Sequence, residues 1–227
     1  MNLNRKTAII VGLLFIIATV AYSLGMILLD PILSGSDYLT KASENENQMI
    51  IGGLLVLIDA IAVAGIGIMI YPVLKKHHNA LALGYVGARI IEGTLFMMNA
   101  ITILTLLTLS QESVKAGALD ASYHQALGTV LLSAGNWAYL IGLGLVFALS
   151  ALILNFVLYQ SKLIPRWLSG WGLVGAALVF ANYLLESFGI NPVEILFYPI
   201  AVQEMVFAVW LIVKGFNSPA IASPSAK

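Results

Sequence analysis

Four residues that can carry charge stand inside the apolar stretches of this chain: Asp59, Arg89, Glu92 and Glu204. Nearly all other ionisable side chains fall between those stretches. A charge at the depth of a bilayer's hydrocarbon is costly unless it faces a protein interior, meets a partner or touches water. Counting inward along each stretch from its basic-flanked end, Asp59 lies twelve residues from Tyr71, Arg89 eight and Glu92 eleven from Leu81, and Glu204 nine from Val213. At 1.5 Å per helical residue these are depths of roughly 18, 12, 16 and 14 Å. Three segments therefore contribute to one layer. Arg89 and Glu92, spaced i,i+3, share a helix face and can pair.

Three carboxylates in that layer oppose one guanidinium. With all four ionised, two negative charges stay uncompensated in a low dielectric, and a proton or a cation is expected to complete the balance. The chemistry implied is proton or cation binding, or a polar anchor for a small ligand. The alternative is a set of internal staples, since buried pairs stabilise poorly but can specify one arrangement. Asn99, beyond Glu92 on the same segment, with Gln203 and Tyr198 near Glu204, are the supporting polar candidates. Asn155 and Asn182 read as interhelical hydrogen-bond formers. Pro199 is expected to free the carbonyl of Ile195 and kink its helix.

The elements that must position these residues are membrane spans. Sixty per cent of the residues are hydrophobic and 10% charged, with mean hydropathy +0.94, against about 25% charged in soluble domains. Six runs reach the roughly 20 residues a spanning helix needs: 7–29, 48–71, 81–109, 125–159, 168–187 and 193–213. Period-2 alternation is absent, which argues against a transmembrane barrel. The fold expected is an all-α, polytopic six-helix bundle in a single domain over residues 1–214, with a disordered tail over 215–227. The run 125–159 is too long for one crossing, so it must tilt and kink or project, with Trp137 and Tyr139 at the interface belt. Asn191 reads as a cap for the last span, with Pro192 in its first turn and Glu194 at its third position.

Loop charge sets the orientation. Arg5, Lys6, Lys75, Lys76, Lys162, Arg166, Lys214 and Lys227 fall on the side of the termini, with no acid among them. The other side carries Lys41 and Lys115 against Asp30, Asp37, Glu44, Glu46, Glu112 and Asp120. By the positive-inside rule both termini are cytoplasmic. Arg5-Lys6 and the apolar stretch after them resemble a signal peptide, but 23 uncharged residues read better as a retained first helix.

Several function classes have no support. There is no cysteine, hence no disulfide, thiolate nucleophile or thiolate metal site. A net charge of +0, without a long basic run, argues against nucleic acid. His77 and His78 lack further ligands and His124 is solitary, so no metal site is expected. The Gly65/Gly67, Gly142/Gly144 and Gly170/Gly172 pairs lack the strand–turn–helix setting of a nucleotide fingerprint, and no cofactor is implied. They belong instead with small residues four apart, such as Ala60/Ala64 and Gly144/Ala148, that let helices approach closely.

Several stretches carry a resemblance: Asn4-Arg5-Lys6-Thr7-Ala8, Tyr71-Pro72-Val73-Leu74-Lys75-Lys76, Gly84-Tyr85-Val86-Gly87-Ala88-Arg89-Ile90-Ile91-Glu92-Gly93, the run from Leu158 to Gly172 with Ile164-Pro165-Arg166-Trp167, and Trp210-Leu211-Ile212-Val213-Lys214-Gly215-Phe216. Over nearly its whole length the chain resembles the prokaryotic membrane family called domain of unknown function 4386. Arg89, Glu92 and Glu204 fit the pattern in place, whereas the acid of the second helix often stands one turn earlier, at this chain's Val56. The resemblance implies a cytoplasmic-membrane protein and no particular chemistry. The expected partners are the lipid bilayer and a small ligand or cation. A non-enzymatic role in transport or sensing leads, ahead of a structural or partner-binding subunit, with a membrane-embedded lipid enzyme third.

Overall fold

The computed structural model describes residues 3–116 and 120–217. Apolar side chains around the full helical circumference leave hydrogen bonding within the backbone as the only way to satisfy its polar groups in lipid, and helices result. They are α1 (Leu3–Leu33), α2 (Tyr38–Glu44), α3 (Glu46–Leu74), α4 (Asn79–Ala116), α5 (Ala121–Tyr139), a π-helical segment (Leu140–Val146), α6 (Phe147–Ser161), α7 (Arg166–Ser187), a 3₁₀ turn (Glu194–Leu196) and α8 (Tyr198–Val213). α5, the π segment and α6 form one continuous run. Six helices are long and apolar enough to cross a membrane, the signature of a multi-pass membrane protein. Ile17, Ile61, Ile101, Val130, Val174 and Val209 point outward, as lipid solvent allows. The spans close into a ring in which α1 packs on α3, α3 on α4, α4 on α6, α6 on α7, α7 on α8 and α8 back on α1.

The start of the first span meets the end of the last. Arg5 donates to the carbonyls of Leu211, Ile212 and Val213, capping the exposed C-terminal end of α8. Gly12 brings the two helices together: a Cβ there would stand 2.6 Å from the Ala208 carbonyl and 2.7 Å from Ile212 Cγ1. Around this contact Val11, Phe15, Ile70, Leu74, Phe207 and Leu211 form a core at the basic end. The tail expected to be disordered is docked at its first residues. The Asn217 N–H donates to the Leu163 carbonyl at 2.8 Å, and Phe216 is buried in that core. Residues 218–227, the rest of the expected tail, lie outside the described residues.

The acidic end is more elaborate than the runs predict. α1 continues through Asp30 and Pro31 to Leu33. The connection after it folds into α2, held on α4 by the Ser110 hydroxyl donating to the Leu39 carbonyl and on α5 by Tyr38 donating to the Gln125 carbonyl. α4 and α5 extend together, joined by Asn99 donating to the Gly135 carbonyl at 3.0 Å. The overlong span is therefore accommodated by a long neighbour and a π segment. Trp137 is exposed, as a belt residue should be, but Tyr139 turns inward. The start of the last span also differs. Asn191 makes no cap; the Val193 N–H donates to Asn182 Oδ1 at 2.8 Å. Glu194 lies in the 3₁₀ turn, and Pro199 occupies the first turn of α8. There its missing N–H costs nothing and no interior kink arises.

Candidate functional site

Arg89 is the hub of the charged layer. Two turns of α4 supply its nearest partners, because Tyr85 and Glu92 lie four residues before it and three after. Its Nε donates to the Tyr85 hydroxyl at 3.0 Å, and its Nη1 to Glu92 Oε1 and Oε2 at 3.1 and 3.3 Å. From across the bundle, Glu204 of α8 brings Oε1 to 3.2 Å from Nη2. The planar guanidinium serves all three partners at once, which a lysine could not reproduce. Ser150 of α6 donates to Glu92 Oε2 at 3.4 Å. The rings of Phe15 and Phe147 stand 5.4 and 5.6 Å from the guanidinium carbon, so π faces add to its stabilisation. Arg89 and Glu92 are 2% and 1% exposed.

Asp59 behaves differently. It is 4% exposed, yet among the described residues no hydrogen bond or ion pair reaches its carboxylate. It lines a cavity of about 310 Å³ in company with Arg89, Glu92 and Glu204. Val63 and Ile66, one and two turns along the same face of α3, continue that wall, and Thr19 and Ser23 come from α1. Six aromatic rings complete the enclosure: Phe15, Tyr22, Phe96, Tyr139, Phe147 and Phe197. The arrangement is a largely apolar chamber with one unmatched carboxylate and an ion-paired cluster beside it.

A second hollow of about 560 Å³ lies nearer the acidic end, lined by Asp30, Ser34, Asn99, Thr102 and Asn136 among others. Both hollows border Tyr22, Met26 and Tyr139. The Tyr22 and Tyr139 rings stack at 6.3 Å with an interplanar angle of 14°. The Tyr139 and Tyr183 hydroxyls are 3.2 Å apart. Tyr139 is the last residue before the π segment, and Leu143 within that segment lines the inner cavity. Such segments recur at functional sites because they re-aim the side chains that follow.

The four charged residues expected to form one layer thus come together at one cavity. The supporting candidates separate from it. Gln203 is buried but donates to Asn155 Oδ1 and the Leu168 carbonyl, tying α8 to α6 and α7. Tyr198 is 63% exposed. Asn99 borders only the outer hollow. Sequence reasoning missed Tyr22, Tyr85, Tyr139, Ser150 and the phenylalanines. Tyr85 carried a signal, its i−4 spacing from Arg89; Tyr22 and Ser150 carried none until the helices were paired. Among the described residues no group of three or more His, Asp or Glu side chains is placed to hold a metal ion.

Among curated proteins and among solved structures, none matches this chain. A family model does, over residues 10–215, which reaches into all six spans and takes in every residue of the cavity. The chain belongs to the family described as Domain of unknown function (DUF4386).

Proposed function

We propose that this protein binds a proton, a cation or a small ligand in its charged cavity, in the service of transport or sensing across the cytoplasmic membrane. The loop charges orient it with both termini in the cytoplasm, so the outer hollow faces the opposite side. One observation carries the reading: Asp59 is buried, without a hydrogen-bonding partner among the described residues, and lines a cavity beside two further carboxylates. A carboxylate held that way in a merely stapled bundle leaves an unmet desolvation cost. The Arg89–Glu204 contact between α4 and α8 favours a second reading, in which the charges only orient helices. A lipid enzyme has the least support, because among the described residues no metal-binding group accompanies the carboxylates and the Ser150 hydroxyl that meets Glu92 does not line the cavity.

The test is the thermal stability of the detergent-purified protein between pH 5 and 9, wild type against Asp59→Asn. A pH-dependent stability that the variant loses supports a titrating site and directs effort to proton-flux measurements. Parallel profiles, with the variant uniformly less stable, refute it in favour of the staple.

A further inference from the structure

Resting on that reading, we infer that the cavity's ligand is a small organic ammonium ion with an apolar body, its charged head at Asp59 and its body among the aromatic rings. The size of the cavity argues first. About 310 Å³ is an order of magnitude above the roughly 30 Å³ share of a water molecule. It stands at the lower end of the ~300–1,000 Å³ range of small-molecule sites. A proton or a bare metal ion would leave most of it unfilled.

The walls argue next. A hard metal ion gathers six or more oxygen ligands around one point. Here the oxygen-bearing side chains of the lining, Thr19, Tyr22, Ser23, Asp59, Glu92, Tyr139 and Glu204, come from five different helices, and among the described residues no group of three or more His, Asp or Glu is placed to hold a metal ion. Glu92 and Glu204 are already engaged by Arg89. What remains is one unmatched carboxylate and a ring of π faces, the pairing that favours organic ammonium ions. Those same rings already hold a cation, since Phe15 and Phe147 face the Arg89 guanidinium. An anionic guest would meet three carboxylates against one arginine.

Access fits this occupant too. The outer hollow carries Asp30 at its edge and meets the inner cavity at the Tyr22–Tyr139 stack. The partition is therefore aromatic, a surface over which an ammonium with an apolar body can pass. On the other side Phe15 and Phe207 meet edge to face at 5.5 Å within the basic-end core.

The experiment uses the full chain in detergent and in lipid nanodiscs. Binding of 2-phenylethylammonium, benzylammonium and hexylammonium is measured by calorimetry and thermal shift, with 2-phenylethanol as the neutral isostere and sodium as the inorganic cation. The expected result is saturable binding of the ammonium ions, at least tenfold tighter than that of 2-phenylethanol. Asp59→Asn should abolish the difference. Equal binding of amine and alcohol by the wild type overturns the inference without any variant, because the cavity would then accept any apolar guest. Wild-type amine affinity in a folded Asp59→Asn also overturns it. If no ammonium binds but Asp59→Asn removes a pH-dependent stability, the proton or cation site stands and the ligand class falls. If both measurements are flat, both readings fall together.

Discussion

Removing the Arg89 guanidinium is the sharpest test of how the charged layer is held. In Arg89→Met the side chain's volume is largely kept, but Glu92 and Glu204 lose their cation and the Tyr85 hydroxyl loses its donor. Breaking a buried pair from one side costs about 3–5 kcal/mol, because the remaining charge stays buried without its partner. In a chain of this length that is a fall of roughly 6–20 °C in Tm. The triple variant Arg89→Met/Glu92→Gln/Glu204→Gln removes charge from both sides and should regain most of the loss, as neutral replacements of buried pairs often do. The pH dependence has a definite sign. In Arg89→Met only a proton can replace the missing charge, so the folded variant binds protons that the unfolded chain releases, and its stability falls as pH rises. The assays are SDS unfolding in mixed micelles and thermal melts at several pH values. A single variant as stable as wild type would refute the account, and so would a triple variant no better than the single, which would trace the loss to packing.

Two further outcomes probe the frame around the site. Gly12→Ala forces a Cβ against the Ala208 carbonyl and should destabilise the α1–α8 contact by about 1–3 kcal/mol, as overpacking does. Gly87→Ala meets nothing within 4 Å and should stabilise slightly, by about 0.4–1 kcal/mol through chain entropy; thermal melts of the pair check the opposite signs. In the turn between α3 and α4, burial, reinforced by the charge of Lys76, holds His77 below the ordinary imidazole value. Its Nε2 is buried without a hydrogen-bonding partner among the described residues. The unfolded chain takes up this proton first, so the contribution to stability is complete above about pH 6.5 and is lost as pH falls below it. His77→Gln should flatten that acid limb, and a melt series from pH 8 to 5 decides.

The spans and the charged layer were legible because both rest on short-range arithmetic. Run length counts spans, rise per residue sets depth, and i,i+3 spacing pairs Arg89 with Glu92. What could not be read depends on which faces meet. Glu204 reaching Arg89 while Asp59, among the described residues, has no hydrogen bond or ion pair is decided by helix rotation, and both are acids at similar depth on apolar helices. Tyr139 was misread for a related reason. Its place beside Trp137 in the long run suggests the belt, but which way it points is set by the helices packed against it, where it meets Tyr22 of α1 and Tyr183 of α7. Sequence alone puts Pro199 in a helix interior because the apolar run begins earlier than α8 does. Hydropathy marks where chain can sit in lipid, and the 3₁₀ turn at Glu194–Leu196 belongs to the same apolar stretch as α8.

The bundle is built unevenly, and this bears on the choice between the proposed roles of transport and sensing. At the basic end, the Arg5 cap, the Gly12 contact and the Phe15–Phe207 pair close the space between α1 and α8. Toward the acidic end the hollows open beside α1 instead. A receptor needs only this arrangement: a ligand arriving past Tyr22 and Tyr139 can bind at Asp59 and act through the π segment that Tyr139 adjoins. Transport needs a second arrangement in which Phe15 and Phe207 part, and the Gly12 contact is what such a change must break. Gly12→Ala therefore carries a second meaning. By loosening that contact it should favour the alternative state if one exists, raising flux of a bound ammonium while lowering Tm. A sensor would show the lower Tm and no flux at all, and reconstituted vesicles loaded with 2-phenylethylammonium separate the two.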